Sequence, residues 1–244
     1  MGTARAPQRF LPDGSPLHNR LLAALSPEVY SSLLPDLRMI DVGVGEPLLE
    51  DGDEVQHVYF PNSGVYSVTN EMRDGTLVEV ATVGFEGMLG INVFLGDTIA
   101  TGRTFMQVPN GPLPSMTVAR FEKLTAEPGP FRTAVSGYVQ ASLLQAMQGT
   151  ACNALHGMKQ RACRWLLQTH DRVGADEFQM KHEFLAIMLG TTRPHVTKVL
   201  GVLQRAGAIS TRYGKINIRD RRKLERTSCE CYAVISAHFK RLGL

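Results

Sequence analysis

Six side chains able to donate hydrogen bonds fall within residues 191–198: Thr191, Thr192, Arg193, His195, Thr197 and Lys198. Two of them are permanently cationic. The stretch around them, HEFLAIMLGTTRPHVTKVLGVLQRAGAI, runs from His182 to Ile209 and reads as two apolar-patterned segments broken at GTT. Ala186 is small enough to sit where two helices cross, and Gly190 supplies a positive φ at modest cost. Leu185, Leu189, Val196 and Val199 can seal the corner, and Leu200 and Leu203 continue the second segment into a core. The donors then fall on the outer side of the second helix near its start. That is the part of such a helix that reaches base edges in a duplex groove.

The sequence just beyond adds a second element. AISTRYGKINIRD reads as two short strands around a Tyr213-Gly214 turn, a wing carrying Arg212, Tyr213 and Lys215 toward a phosphate backbone. Charge supports this placement. Residues 1–157 hold 9 Lys and Arg against 16 Asp and Glu, whereas residues 158–244 hold 17 against 7. A net of +10 joined to a net of −7 indicates that one end meets a polyanion. A hydrated helical hairpin could share the basic residues, but not the small crossing residue, turn glycine, seal, wing and charge together. The expected base-reading residues are Arg193, His195, Thr197 and Lys198. The expected backbone contacts are Thr191, Thr192, Arg212, Tyr213 and Lys215.

The elements that position this corner can be read along the 244 residues. Residues 1–16, rich in Pro, Gly and Arg, are expected to form a flexible arm. LHNRLLAALSPEVYSSLLPDL offers two short helices, with Ser26 as N-cap and Pro27 at the first helical position. From Arg38 to about Thr125, short β-branched and aromatic runs alternate with the turn signals DGD, PNSG and RDG, as in an antiparallel all-β unit. EPGP breaks this pattern, and a long helix follows. Phe131, Val135, Val139, Leu143 and Ala146 form one of its lines, and the small residues Ser142, Ala146 and Gly149 form a face suited to a second helix. Leu224, Tyr232, Ile235, Phe239 and Leu242 mark a terminal amphipathic stripe.

An acidic β-roll, a long central helix, the 182–209 corner and YGKINI together resemble the Crp/Fnr family of bacterial transcription regulators. The likeness covers nearly all of residues 20–230 and is most specific in the corner. It implies an α+β fold with an N-terminal antiparallel, cyclic-nucleotide-binding-like β-roll at 17–127. A central dimerisation helix at 128–157 and a C-terminal winged helix-turn-helix at 158–244 would follow. It also implies a homodimer on a near-palindromic double-stranded DNA site, with RNA polymerase as a further partner. Arg193 matches the family's guanine-reading arginine, and Lys198 a second basic position. Pro194 departs from the pattern: many members have a glutamate there that accepts from cytosine, so a different operator sequence is expected.

The same resemblance places an effector pocket around GFEGMLGINVFLGDTIATGRT, with Glu86, Gly87, Met88, Leu89, Thr101 and Arg103 as its candidates. Met88 stands where the cyclic-nucleotide members have a ribose-binding glutamate. Ala100-Thr101 stand near their arginine-serine pair, with Arg103 displaced by two or three positions. A cyclic phosphate needs a charged donor and converging amides, so cAMP or cGMP binding in the usual way is not expected and the cofactor is unknown. An iron-sulfur cluster of the N-terminal type is excluded, because no cysteine precedes Cys152. His57, alternating with Tyr59, and His156 on the central helix read as satisfied structural histidines rather than haem ligands.

Other functions have little to stand on. No G-x-S-x-G, P-loop, H-E-x-x-H or Rossmann glycine motif occurs in a suitable context, so no catalytic residues are expected. Cys152, Cys163, Cys229 and Cys231 make no disulfide framework or zinc pattern; Cys229 and Cys231 are close only as C-E-C, and no metal is expected. No apolar run is long enough for a bilayer, the N-terminal residues lack a signal core, and a cytoplasmic protein without membrane contact is expected. The rival that stays open is a β-roll regulatory module acting on a protein partner, which would need neither Arg193 nor Lys198.

Overall fold

Two local caps open the first helices, and the one at Ser26 is the one the sequence predicts. The computed structural model describes residues 8–109 and 111–244. The Asn19 side chain accepts from the Leu22 N–H to open α1 (Arg20–Ala23), and Ser26 accepts from Val29 ahead of Pro27 to open α2 (Pro27–Leu33). Of the expected arm, residues 1–7 lie outside the described residues. Residues 10–16 close on themselves through a Phe10–Pro16 bridge, and within 8–16 only Leu11 is buried, 3% exposed within the core.

Seven strands follow: β1 (Arg38–Ile40), β2 (Pro47–Leu49), β3 (His57–Tyr59), β4 (Val65–Glu71), β5 (Leu77–Val83), β6 (Arg103–Val108) and β7 (Leu113–Thr117). A short α3 (Ile91–Phe94) lies between β5 and β6, and α4 (Val118–Thr125) follows β7. The strands form two antiparallel sheets, ordered β1-β7-β3 and β2-β6-β4-β5. Val58, Tyr66, Met106 and Met116, drawn from both sheets, share one apolar core with α1, α2 and α4. This is the expected antiparallel roll.

The long helix is α5 (Pro130–Leu155), with Pro130 at its first turn. Its predicted apolar line holds only at the start. Phe131 and Val135 are buried, whereas Leu143 is 61% exposed. Steps of four residues overshoot a full turn by about 40° each, so by Leu143 the line has rotated off the buried face. Burial instead continues through Tyr138 and Ala141 and returns at Cys152.

The second body comprises α6 (Met158–Val173), β8 (Glu177–Gln179), α7 (His182–Leu189), α8 (Arg193–Arg205), β9 (Ile209–Arg212), β10 (Lys215–Ile218) and α9 (Arg221–Thr227). Its sheet runs β8-β10-β9, one strand more than the sequence predicts. The terminal stripe divides between the two bodies. Leu224 on α9 packs in the second body's core, but Ile235 and Phe239 on α10 (Cys231–Arg241) join the N-terminal core, with α10 lying along α5. The second body is therefore inserted between two helices of the first, and the backbone crosses between them at 155–158 and at 228–231.

The two bodies share a polar seam. Arg172 of α6 donates to Glu86 Oε1 from Nε and Nη2 at 3.0 and 2.6 Å, to Thr82 Oγ1 at 2.6 Å and to Thr82 O at 3.0 Å. Its side chain and that of Glu86 are 7% and 9% exposed. Nearby, Trp165 Nε1 donates to Glu79 Oε1 at 3.3 Å and Ser67 Oγ donates to Glu79 Oε2 at 2.8 Å. Phe184 of α7 packs beside Phe105 of β6, ring centroids 6.3 Å apart.

Desolvation in this seam pushes the Glu79 carboxyl up to about 8, against the opposing pull of the Ser67 hydroxyl and Arg172. The folded protein thus keeps a proton that the unfolded chain releases near 4.5. A raised carboxyl contributes stability that is complete below the unfolded value and lost as pH rises through the folded one. The Glu79 contribution should therefore decline between about pH 4.5 and 8, and Glu79→Gln should flatten that decline. Denaturant unfolding followed by fluorescence of Trp165, the single tryptophan, at several pH values measures it.

Candidate nucleic-acid interface and roll cavity

The corner is built by the residues that the sequence singled out. Gly190 ends α7 in the left-handed region (φ 58°, ψ 50°), with its N–H directed to Ala186 O and Ile187 O, while Thr191 N–H also reaches Ala186 O at 2.9 Å. Leu185, Leu189, Val196, Leu200 and Leu203 are buried together, with Ala186 and Val199 beside them. Arg161 of α6 donates from Nη2 to Leu189 O at 2.8 Å, satisfying a carbonyl at the end of α7 and placing positive charge at its negative pole.

With the apolar side sealed, the donors face outward. Thr192, Arg193, Pro194, His195, Thr197 and Lys198 are all exposed. Arg193 Nε pairs with Glu183 Oε1 at 3.1 Å across the corner. Both side chains are open to solvent, and such a pair contributes only about 0–1 kcal/mol, so it orients the guanidinium without sequestering it. Thr191 Oγ1 lies 3.1 Å from His195 Nδ1. Thr197 Oγ1 donates to Arg193 O at 3.1 Å and lies 2.9 Å from His182 Nδ1. Thr197 is therefore the expected base reader most engaged within the protein itself.

The wing has the predicted tight turn. Tyr213 and Gly214 both have positive φ, 49° and 73°, the geometry that matches the twist of a two-residue hairpin. Tyr213 is fully presented to solvent, the Arg212 guanidinium lies 4.9 Å from its ring centroid, and Lys215 pairs with Glu177 at 2.7 Å. Two cations that sequence reasoning missed stand nearby. Lys159 at the start of α6 and Arg226 on α9 line a shallow concavity with His195 and Val199. They come from segments far apart in sequence, and the only available signal was the basic run at 219–226.

In the roll, a cavity of about 290 Å³ lies between the β2-β6-β4-β5 sheet, α5 and α10. Of the expected pocket residues, Met88, Leu89 and Thr101 line it. Three do not. Glu86 turns away to Arg172, and Arg103 pairs with Glu50 at 3.5 Å on the outside. Gly87 is taken up by packing: a Cβ there would lie 1.9 Å from the Tyr138 ring. Glu86, expected in the pocket, is therefore not available to a ligand there, because the seam between the bodies uses it. Among the described residues lining the cavity none is charged; Tyr138 and Gln145 of α5 and Phe239 of α10 close one side.

Three of the four cysteines are gathered at one place. Cys152, Cys229 and Cys231 are buried together, and with His156 their ligand atoms all lie within 4.8 Å of one another; Cys163 is buried elsewhere, in the second body's core.

An antiparallel roll, a long helix and a winged helix-turn-helix with an exposed donor face define a two-body regulator architecture. Residues 160–227 match the family model of the Crp-like helix-turn-helix domain. The transcriptional regulator SdrP of Thermus thermophilus is 30% identical over 116 residues, which is 45% of this chain and 57% of that protein, little more than half its length. FixK2 from Bradyrhizobium japonicum superposes with a TM-score of 0.69 at 15% identity, covering 79% of this chain and 98% of that one. TTHB099 of Thermus thermophilus, a regulator of the CRP family, gives 0.65 at 20% identity over 78% and 96%. Residues 160–227 are thus a Crp-like helix-turn-helix domain, and the chain as a whole shares the fold of these Crp/Fnr-family structures.

Nothing lies within 4 Å of a Cβ built at Gly190, so Gly190→Ala tests the backbone alone. It should destabilise by about 1–2 kcal/mol, the cost of a left-handed conformation for an L residue, with no change in core packing. Thermal unfolding beside a Gly201→Ala control within α8 checks this.

Proposed function

We propose that the protein is a homodimeric, sequence-specific DNA-binding regulator whose roll senses an uncharged effector or none. One observation carries the reading. The start of α8 presents Arg193, His195 and Lys198 to solvent over a sealed apolar corner, and an exposed wing stands beside it. Arg193 reads a guanine through O6 and N7 once Glu183 yields it, and Lys198, exposed five residues further along α8, adds a second donor. Pro194 offers no donor. Thr191, Thr192, Arg212, Tyr213 and Lys215 hold the phosphates, with Lys159 and Arg226 extending that footprint. RNA polymerase is the partner that a regulator of this family would engage.

The cavity supports a neutral occupant. With no charged lining residue, it has nothing to balance a cyclic phosphate, and burying an unpaired phosphate there would be costly. cAMP and cGMP are therefore poor candidates. Enzymatic chemistry has no support in the site: the polar side chains around the cavity include no nucleophile beside a base.

Recovery of bound fragments from random DNA would supply the operator. On it, Arg193→Ala with Lys198→Ala should weaken binding at least tenfold and relax base preference, read by fluorescence anisotropy. Wild-type affinity should fall steeply with salt as counterions are released. Unchanged affinity in the double variant would instead favour a roll that acts on a protein partner.

Self-association has its own support. Leu143 and Met147, one helical turn apart on α5, are each 61% exposed, an apolar strip that a soluble monomer has little reason to present. Leu143→Glu with Met147→Glu should convert dimer to monomer in light scattering and lower DNA affinity at fixed protein concentration. A dimer that persisted would place the contact elsewhere.

A further inference from the structure

The geometry points to a metal site of the Cys3His class, suited to a single Zn²⁺, formed by Cys152, His156, Cys229 and Cys231 where the two bodies join. Cys152 occupies the last turn of α5, and His156 follows it by four residues at the helix end. Cys229 precedes α10 and Cys231 begins it. Cys152 Sγ lies 3.5 Å from Cys229 Sγ, and Cys231 Sγ lies 3.5 Å from His156 Nδ1. Zinc bonds of about 2.3 Å to sulfur and 2.0–2.1 Å to nitrogen place tetrahedral ligands roughly 3.5–3.8 Å apart, close to both separations. The sulfurs are well beyond the roughly 2.05 Å of a disulfide.

The surroundings fit a metal centre better than a packed trio of thiols. His156 directs Nδ1 inward while Nε2 lies 3.3 Å from Glu230 Oε2, the carboxylate–histidine arrangement that orients a metal-bound imidazole. Gln148 Nε2 donates to Cys231 Sγ at 3.1 Å, as a second-layer donor to a thiolate does. Loading releases three thiol protons to solvent and changes no oxidation state. An iron-sulfur cluster would need ligands spread around a larger body, whereas these four converge on one point. Sulfur-rich tetrahedral sites of this kind select zinc among the divalent ions.

The position gives the ion a role. Cys152 and His156 lie at the crossing at 155–158, and Cys229 and Cys231 lie at the one at 228–231. One ion would pin both backbone links between the roll and the winged helix, fixing the pivot of the DNA-binding body.

The test uses the full chain purified under reducing conditions. Elemental analysis should find one zinc per chain. After chelation, titrated Co²⁺ should give intense tetrahedral d–d bands with thiolate-to-cobalt charge transfer, saturating at one equivalent. Cys229→Ser should abolish the charge-transfer spectrum's stoichiometric endpoint, and Cys163→Ser should leave it unchanged. Glu230→Gln keeps every ligand and should weaken affinity roughly 10–100-fold, which keeps the test decisive if Cys229→Ser does not fold. Metal-free protein giving only octahedral or non-stoichiometric Co²⁺ spectra would overturn the site, as would an iron-sulfur chromophore. None of these readouts depends on DNA binding, so they stand or fall apart from the regulator reading.

Discussion

A buried arginine decides where the winged-helix half sits. Arg172 spends its guanidinium on Glu86 and Thr82 across the seam, and neither charge has water to fall back on. Such a pair adds little net stability over an apolar contact of the same size, but it penalises any arrangement that separates the charges. The seam therefore acts mainly on orientation. Alternatives in which α6 slides along the sheet leave an unpaired ion. Gly84 follows from this, since a Cβ there would lie 2.6 Å from the Arg172 side chain.

Much of this protein was legible in its sequence because local rules and global fold agree in those places. Ser26-Pro27, Gly190 and Tyr213-Gly214 each encode one backbone geometry, and each adopts it. The sealed corner was legible because its apolar residues lie within one continuous stretch. Its outward donors followed by exclusion from the seal.

What was not legible depends on tertiary proximity. Glu86 looked like a pocket residue because its neighbours in sequence are pocket residues; only the position of Arg172, 86 residues later, shows that it belongs to the seam. The line from Phe131 to Leu143 failed because a strict step of four outruns the helical period. C-E-C looked incidental because its two complements, Cys152 and His156, lie some 75 residues earlier, and ligand spacing over that range is set by the fold. The terminal helix was assigned to the wrong body for a similar reason: an amphipathic stripe records that a face is buried, not what buries it.

That helix also has a mechanical consequence. Phe239 at the cavity wall and Cys231 at the crossing are eight residues apart on α10, about 12 Å along one rigid rod. Strain applied at either point is felt at the other without any relay of side chains. The cavity and the pivot are thus two ends of a single strut.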